Sequence, residues 1–350
     1  MTSQPPFFVV GSERSGSTLF SLMLEHHPRL ALVKGGEFDR AVALVGDDGT
    51  RPTSAELIAF AETDFEFYMT GERIDPDETH DENVRRWLEE ARTRQEAEQV
   101  GGVVHKKYGR LPFVFPDARY IHLLRDGRDV TMSCIKKGWG HDVWHAADVW
   151  IEAETQWDVL CMRVDPDHTL EVRYEALVAD TAGELDRVCG FLGIETRVDD
   201  MLSYPETTAY ELPHPVMSEA WSTWPDEVVR LAEGRLGDAL RDRGYELSGL
   251  EPRRPSQAEL QLIRLRGRLS GMQARFGEYG LVTTTADTVG RRLRVQPLSD
   301  WATRRINETT GDNLTHTSAG VLEARSQQPG NASPENTSPE NTGPETEVEA

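Results

Sequence analysis

The chain of 350 residues is poor in several things, and each shortage narrows what it can be. Cysteine occurs three times, at Cys134, Cys161 and Cys189, without CxxC or Cys/His ligand spacing, which speaks against both a disulfide framework and a zinc site. The three are expected to be core thiols. No apolar run is long enough to cross a bilayer, and the polar stretch from Met1 to Pro6 has neither a basic region nor a cleavage signature, so the expected location is cytoplasmic. Positive charge is also short. A formal net charge of −22 excludes a general nucleic-acid binder, because sequence-independent affinity for phosphate backbones needs a basic surface. Any anion site must therefore be built locally. Arginine greatly outnumbers lysine, a bias that a GC-rich or high-salt host explains as well as a functional need does.

What is present is enough for a core: 38% of the residues are hydrophobic. Phe7 to Val10 form a short apolar run ending in Gly11, and Leu19, Leu22, Met23 and Leu24 follow at helical spacing, which reads as buried strand, loop and helix. Further strands are expected around Val103 and Val104, over Arg119–Leu124, and over Thr169–Tyr174. Helices are expected from Asp126 to about Lys137, over Ala182–Leu192 with Gly193 as its stop, and over Asp226–Arg243. Strands alternating with helices predict an α/β fold: a mainly parallel central sheet flanked by helices in three layers.

The expected domain spans residues 1–250, with a charged helical cap insert at 53–99 carrying Leu57, Ile58, Phe60, Phe65, Phe67, Trp87 and Leu88. Residues 251–306 read as a C-terminal helical extension. Its arginine-rich stretch Gln257–Phe276 is expected to be a peripheral or dimer-forming helix. From Asn307 to residue 350 the composition turns to Ser, Thr, Asn, Pro and Glu, with the near repeat SPENTSPENTGPE, and a disordered low-complexity tail is expected. Its N-x-S/T triplets at Asn307 and Asn313 are read as chance occurrences.

Two segments carry chemistry. Gly11-Ser12-Glu13-Arg14-Ser15-Gly16-Ser17-Thr18 has the G-x-x-x-x-G-x-S/T spacing of a P-loop between a strand and a helix. Ser17 stands where a nucleotidase carries its lysine, and Arg14 supplies a cation three residues earlier. Backbone N–H groups and a helix N-terminus there can close around an oxyanion. The plainer reading is a serine-rich turn capping an ordinary helix. Without the lysine and a strand-end metal-binding aspartate, magnesium-nucleotide chemistry loses two of its parts, and a donor needing no metal fits better. The second segment, Ala118 to Ser133, runs strand, turn and helix. It puts Arg125 at the strand end and Ser133 two helical turns on, where they can hold a second phosphate. An exposed Arg/Asp turn tied by local ion pairs is its plainer reading.

Together these segments resemble the PAPS-dependent sulfotransferases (PAPS, 3′-phosphoadenosine-5′-phosphosulfate). FFVVGSERSGSTLFSLMLEHHP looks like their 5′-phosphosulfate loop, FPDARYIHLLRDGRDVTMS like their 3′-phosphate site, and LEVRYEALVADTAGELDRVCGFLGI like a later strand and helix. The resemblance spans about residues 7 to 245 and is nearer to the bacterial and tyrosylprotein or carbohydrate types than to the phenol and steroid types. It implies a P-loop-like fold and in-line sulfuryl transfer from PAPS, without a metal, to a hydroxyl or amine. Arg14, Ser15, Gly16, Ser17 and Thr18 would bind the 5′-phosphosulfate, Arg125 and Ser133 the 3′-phosphate, and Tyr174 would lie near the adenine or ribose or else be a half-buried strand-end tyrosine. Arg128 and Asp129 belong to the motif and can equally cap its turn.

The same resemblance implies Glu37 as the general base, at the place where tyrosylprotein-type enzymes carry theirs. A helix N-terminal glutamate favoured by the dipole is the alternative. His105 is the competing base, although His105-Lys106-Lys107-Tyr108 departs from the family's pattern. One of the two lysines, Lys106 for preference, would be the second cation. Trp139, Trp144, Trp150, Trp157, Trp221 and Trp224 either stack on an acceptor or anchor the packing. The acceptor, whether small molecule, carbohydrate, lipid or peptide, is not legible. The alternative functions are a P-loop small-molecule kinase and a non-catalytic nucleotide-binding protein.

Overall fold

The computed structural model describes residues 4–33, 36–64, 73–137, 142–206, 212–213, 220–293, 295, 297–298, 301–302 and 305–306. Its centre is a five-stranded parallel sheet in the order β2-β3-β1-β4-β5, made of β1 Phe7–Val10, β2 Leu30–Val33, β3 Gln99–Val104, β4 Arg119–Leu124 and β5 Thr169–Arg173. Central β1 pairs Phe7 with Gly101 of β3 on one side and with Arg119 of β4 on the other. The edge strand β2 is one more than the four strands expected. Its four residues, LALV, read in sequence only as an apolar stretch.

The side-chain alternation of a strand divides the core between two faces. Phe8 and Val10 join Tyr120, Trp87, Tyr108, Leu111 and Trp157 on one face. Phe7 and Val9 join Phe20, Met23, Ile121, Leu123, Leu185 and Val188 on the other. Helices α1 Ser17–Glu25 and α8 Thr181–Leu192 cover the second face. Helices α4 His80–Arg94 and α6 Val143–Cys161 cover the first, which completes three layers. Between α1 and α4 lie α2 Gly36–Leu44 and α3 Ser54–Thr63; between α4 and α8 lie α5 Gly127–Lys136 and α7 Tyr174–Ala179, besides α6. Thr53 with Glu56 and Thr79 with Glu82 form reciprocal capping boxes that start α3 and α4 in the charged insert. Phe65 and Phe67 lie outside the described residues, as does the stretch from Asn307 on.

Leu124, Val130, Cys134, Ala147 and Trp150 pack with Leu236 and Leu240 of α9 Asp226–Asp242, which ties the last helix of this part to the β4–α5 turn. Gly193 ends α8 in the left-handed conformation, φ 73°. Residues through Phe276 form one compact unit and those from Gly277 a second. The helical stretch α10 Gln257–Leu293 departs from helical backbone at Gly280. Cys134 and Cys189 are buried as expected, but Cys161, the last residue of α6, is exposed. Among the described residues no helix is long and apolar enough to cross a membrane.

Candidate active site

Parallel sheets of this kind bind ligands beyond the carboxyl ends of their strands, where the strand order reverses. Here β1 is followed by β2 on one side of it, with β3 between them, and β4 lies on its other side. The segments leaving β1, β3, β4 and β5 bring Arg14, His105, Arg125 and Tyr174 to that end of the sheet.

The loop after β1 is shaped by its backbone. Gly16 precedes α1 at φ 99°, and a Cβ there would lie 2.4 Å from the Tyr174 ring, so only glycine fits. Arg14 takes φ 70°. The Ser15 hydroxyl is turned inward, donating to the Ser12 carbonyl at 2.7 Å. Ser17 opens α1, and Thr18 beside it is exposed. The first N–H groups of α1 and its dipole thus face the loop's interior.

The turn after β4 is shaped by side chains. Asp126 caps α5 by accepting the Arg128 N–H at 2.8 Å, while its own N–H donates to Glu175 at 2.9 Å. Arg128 is 2% exposed and closes on Asp126 through Nη2 at 2.6 Å, on Glu233 through Nη1 at 2.7 Å, and on the Trp221 ring at 3.5 Å. It is a structural cation with its charge spent inside the protein. Arg125 lies over the Tyr174 ring at 4.3 Å, and the Trp150 indole N–H fixes the Arg125 carbonyl at 2.9 Å. Tyr174 is 4% exposed, and burial pushes its phenol above the usual range, against the pull of Arg125.

The two turns touch. Arg14 Nε donates to Ser133 Oγ at 3.0 Å, and Arg125 Nη1 donates to the Arg14 carbonyl at 3.3 Å. Two segments more than a hundred residues apart in sequence therefore form one basic cleft in an acidic chain. Cys134 beside it is pushed up to about 11 by burial, so its thiol is inert.

His105 meets the loop through both ring nitrogens: Nδ1 bonds to the Gly11 carbonyl at 3.0 Å and Nε2 to Ser17 Oγ at 3.2 Å. A carbonyl only accepts, so Nδ1 carries a proton, and Nε2 pairs with the Ser17 hydroxyl. Lys106 Nζ lies 3.4 Å from Glu13 in the first loop, whereas Lys107 Nζ lies 3.2 Å from Glu152 on α6. Lys106 is thus on the cleft's side. Glu37 is the second residue of α2, just after β2, but its side chain lies outside the described residues, as does Trp139.

The remaining tryptophans chiefly pack. Trp150 is fully buried, Trp157 stacks on His122 at 4.3 Å, Trp144 lies near Arg235, and Trp221 covers Arg128. Sequence reasoning missed the contribution of Glu13, Glu175 and Glu233. The first two were visible only as acids flanking motif residues; Glu233 lies 105 positions from its partner and left no local signal.

Residues 5–200 match the model of the family described as Sulfotransferase family. The chain is also similar to the sulfotransferase domain of the Synechococcus PCC 7002 olefin synthase, at 22% identity over 63% of this chain and 88% of that one, with a TM-score of 0.45. For the sulfotransferase domain from the curacin biosynthetic pathway the values are 18%, 69%, 99% and 0.49. For a mouse sulfotransferase complexed with PAP they are 12%, 69%, 85% and 0.41.

Proposed function

The chain belongs to the sulfotransferase family, and from that premise we propose that it moves a sulfuryl group from PAPS to a hydroxyl or amine of a small molecule, carbohydrate, lipid or peptide. The observation that carries the donor assignment is the contact of Arg14 with Ser133 at 3.0 Å. A nucleotide phosphorylated at both ends of one ribose needs two neighbouring anion sites, and the contact between the two turns supports that reading. The donor set fits: cations at Arg14, Arg125 and Lys106, hydroxyls at Ser17, Thr18 and Ser133, and a loop with no room for a Cβ at Gly16.

PAPS brings an activated sulfuryl group whose leaving group is a phosphate, so the protein's work is positioning and charge stabilisation. Arg14 and the α1 N-terminus take the charge that develops on the departing phosphate. Lys106 adds a second cation. Arg125 and Ser133 hold the 3′-phosphate, and Tyr174 holds Arg125 in place and borders Gly16 at the ribose end. His105 lies against Gly11 and Ser17, and Glu37, at the start of α2 just after β2, is taken as the base for the acceptor's proton. Such a base contributes about 10²- to 10⁴-fold. Glu37→Gln should lower transfer of ³⁵S from labelled PAPS by about that factor and leave affinity for 3′-phosphoadenosine-5′-phosphate (PAP) unchanged. Undiminished transfer would remove Glu37 from the reaction.

A further inference from the structure

Asp129 presents a buried acid to the place where an anion is to bind. It stands on the first turn of α5, 4% exposed. Its Oδ1 accepts the Trp221 N–H at 2.8 Å, and the Ala220 N–H also bonds to the carboxyl. Oδ2 is buried without a hydrogen-bond partner among the described residues and faces Arg125 Nη2 at 3.8 Å. Burial pushes this carboxyl above the ordinary range, and Arg125 only partly offsets that. The other ionisable groups that bear on it are Asp126 of the same turn, a second negative charge already paired with Arg128, and the phenol of Tyr174 from α7, which is neutral. The 220–223 turn presents backbone amides.

A phosphate brought to Arg125 therefore meets a guanidinium that already faces a carboxylate, and adds a second anion to the same desolvated corner. Two anions that close are not both tolerated at full charge. Resting on the reading of Arg125 as the ligand of the 3′-phosphate, we propose that Asp129 takes up one proton from solvent when that phosphate binds and returns it when the nucleotide leaves. The proton goes to Oδ2, the oxygen without a hydrogen bond, and changes it from a repelling charge into an O–H donor. Oδ1 keeps the Trp221 amide throughout, so the 220–223 turn stays in place. Asp129 is a positioning residue: it acts through Arg125 and makes donor affinity depend on pH.

The sign follows from linkage. If the bound state holds one more proton, affinity falls as pH rises between the free and bound pKa values, by up to about tenfold per unit. Asp129→Asn keeps the Oδ1 acceptor and cannot ionise. Calorimetric titration of the full chain with PAP, from about pH 5.5 to about pH 8.5, should show wild-type affinity falling more steeply than that of the variant. The variant should bind about tenfold more tightly than wild type by the alkaline end.

Heats measured in buffers of different ionisation enthalpy should show up to about one more proton taken up by wild type than by the variant. That difference cancels titration of the ligand's own phosphates. Should the variant not fold, uptake by wild type across the same range, beyond what the phosphates of PAP take up, reads the same event. Equal slopes and equal proton counts in wild type and variant, or no such uptake by wild type at any pH in the range, would overturn the proposal while leaving the donor site intact. Absence of PAP binding to wild type at every pH would instead sink the 3′-phosphate reading, and this proposal with it.

Discussion

The loop after β1 and the turn after β4 touch each other, yet they are held by different means. The first is a backbone construction: Arg14 and Gly16 at positive φ, a serine folded onto the loop's own carbonyl, and no room for a Cβ beside Tyr174. The second is a side-chain construction in which buried Arg128 is caged by Asp126, Glu233 and Trp221, so that Arg125 alone of the two arginines faces the cleft. The contrast teaches that similar anion chemistry can have different points of failure. The loop should fail through a single methyl group, and the turn through loss of a charge that never meets the ligand.

The largest effect is expected from Gly16→Ala. The new methyl meets the Tyr174 ring at 2.4 Å and the residue keeps an unfavourable φ, so strain and overpacking together cost about 2–5 kcal/mol. Thermal unfolding and PAP titration should both show the loss. An unchanged melting temperature and unchanged PAP affinity would mean that the backbone conformation of the loop is unimportant.

Next comes Arg128→Met, which leaves the buried carboxylates of Asp126 and Glu233 without their partner and should cost about 3–5 kcal/mol of stability. Measured well below its melting temperature, the variant should still bind PAP. If stability holds and binding vanishes, Arg128 belongs to the ligand site and the division between the two turns is wrong. The smallest effect is expected from Ser133→Ala, which removes one of the two hydrogen bonds joining the turns and leaves that from Arg125 to the Arg14 carbonyl. At about 0.5–1.5 kcal/mol per bond, PAP affinity should fall by roughly three- to tenfold with little change in melting temperature.

The same contrast explains what could be read from the sequence. The first turn was legible because its signals are local: an apolar run ending in glycine, then a P-loop spacing, then helical periodicity. The strands at Arg119–Leu124 and Thr169–Arg173 and the helix closed by Gly193 were legible on similar grounds. In the second turn Arg125 was singled out by its place at a strand end and Ser133 by its place two helical turns on, and the resemblance added the 3′-phosphate as their expected ligand. The sequence did not show that Arg128 is buried, because its partner Glu233 arrives from α9. Nor did it show that Tyr174 is a wedge between Arg125 and Gly16, since that requires β5 to lie beside β4. Strand β2 escaped because four apolar residues between a turn and a glycine pair carry no period. The choice between the two lysines depended on side-chain direction, with Lys106 towards Glu13 and Lys107 towards Glu152.

The central claim is that the two turns hold the two ends of one 3′-phosphorylated nucleotide, and its most direct test is calorimetric titration with PAP in the absence of magnesium, alongside ATP and the Arg125→Ala protein. The account predicts micromolar binding of PAP, lost or strongly weakened on removal of Arg125, and no comparable binding of ATP. Tight, magnesium-dependent binding of ATP with no response to PAP would contradict it and turn the cleft into that of a P-loop kinase.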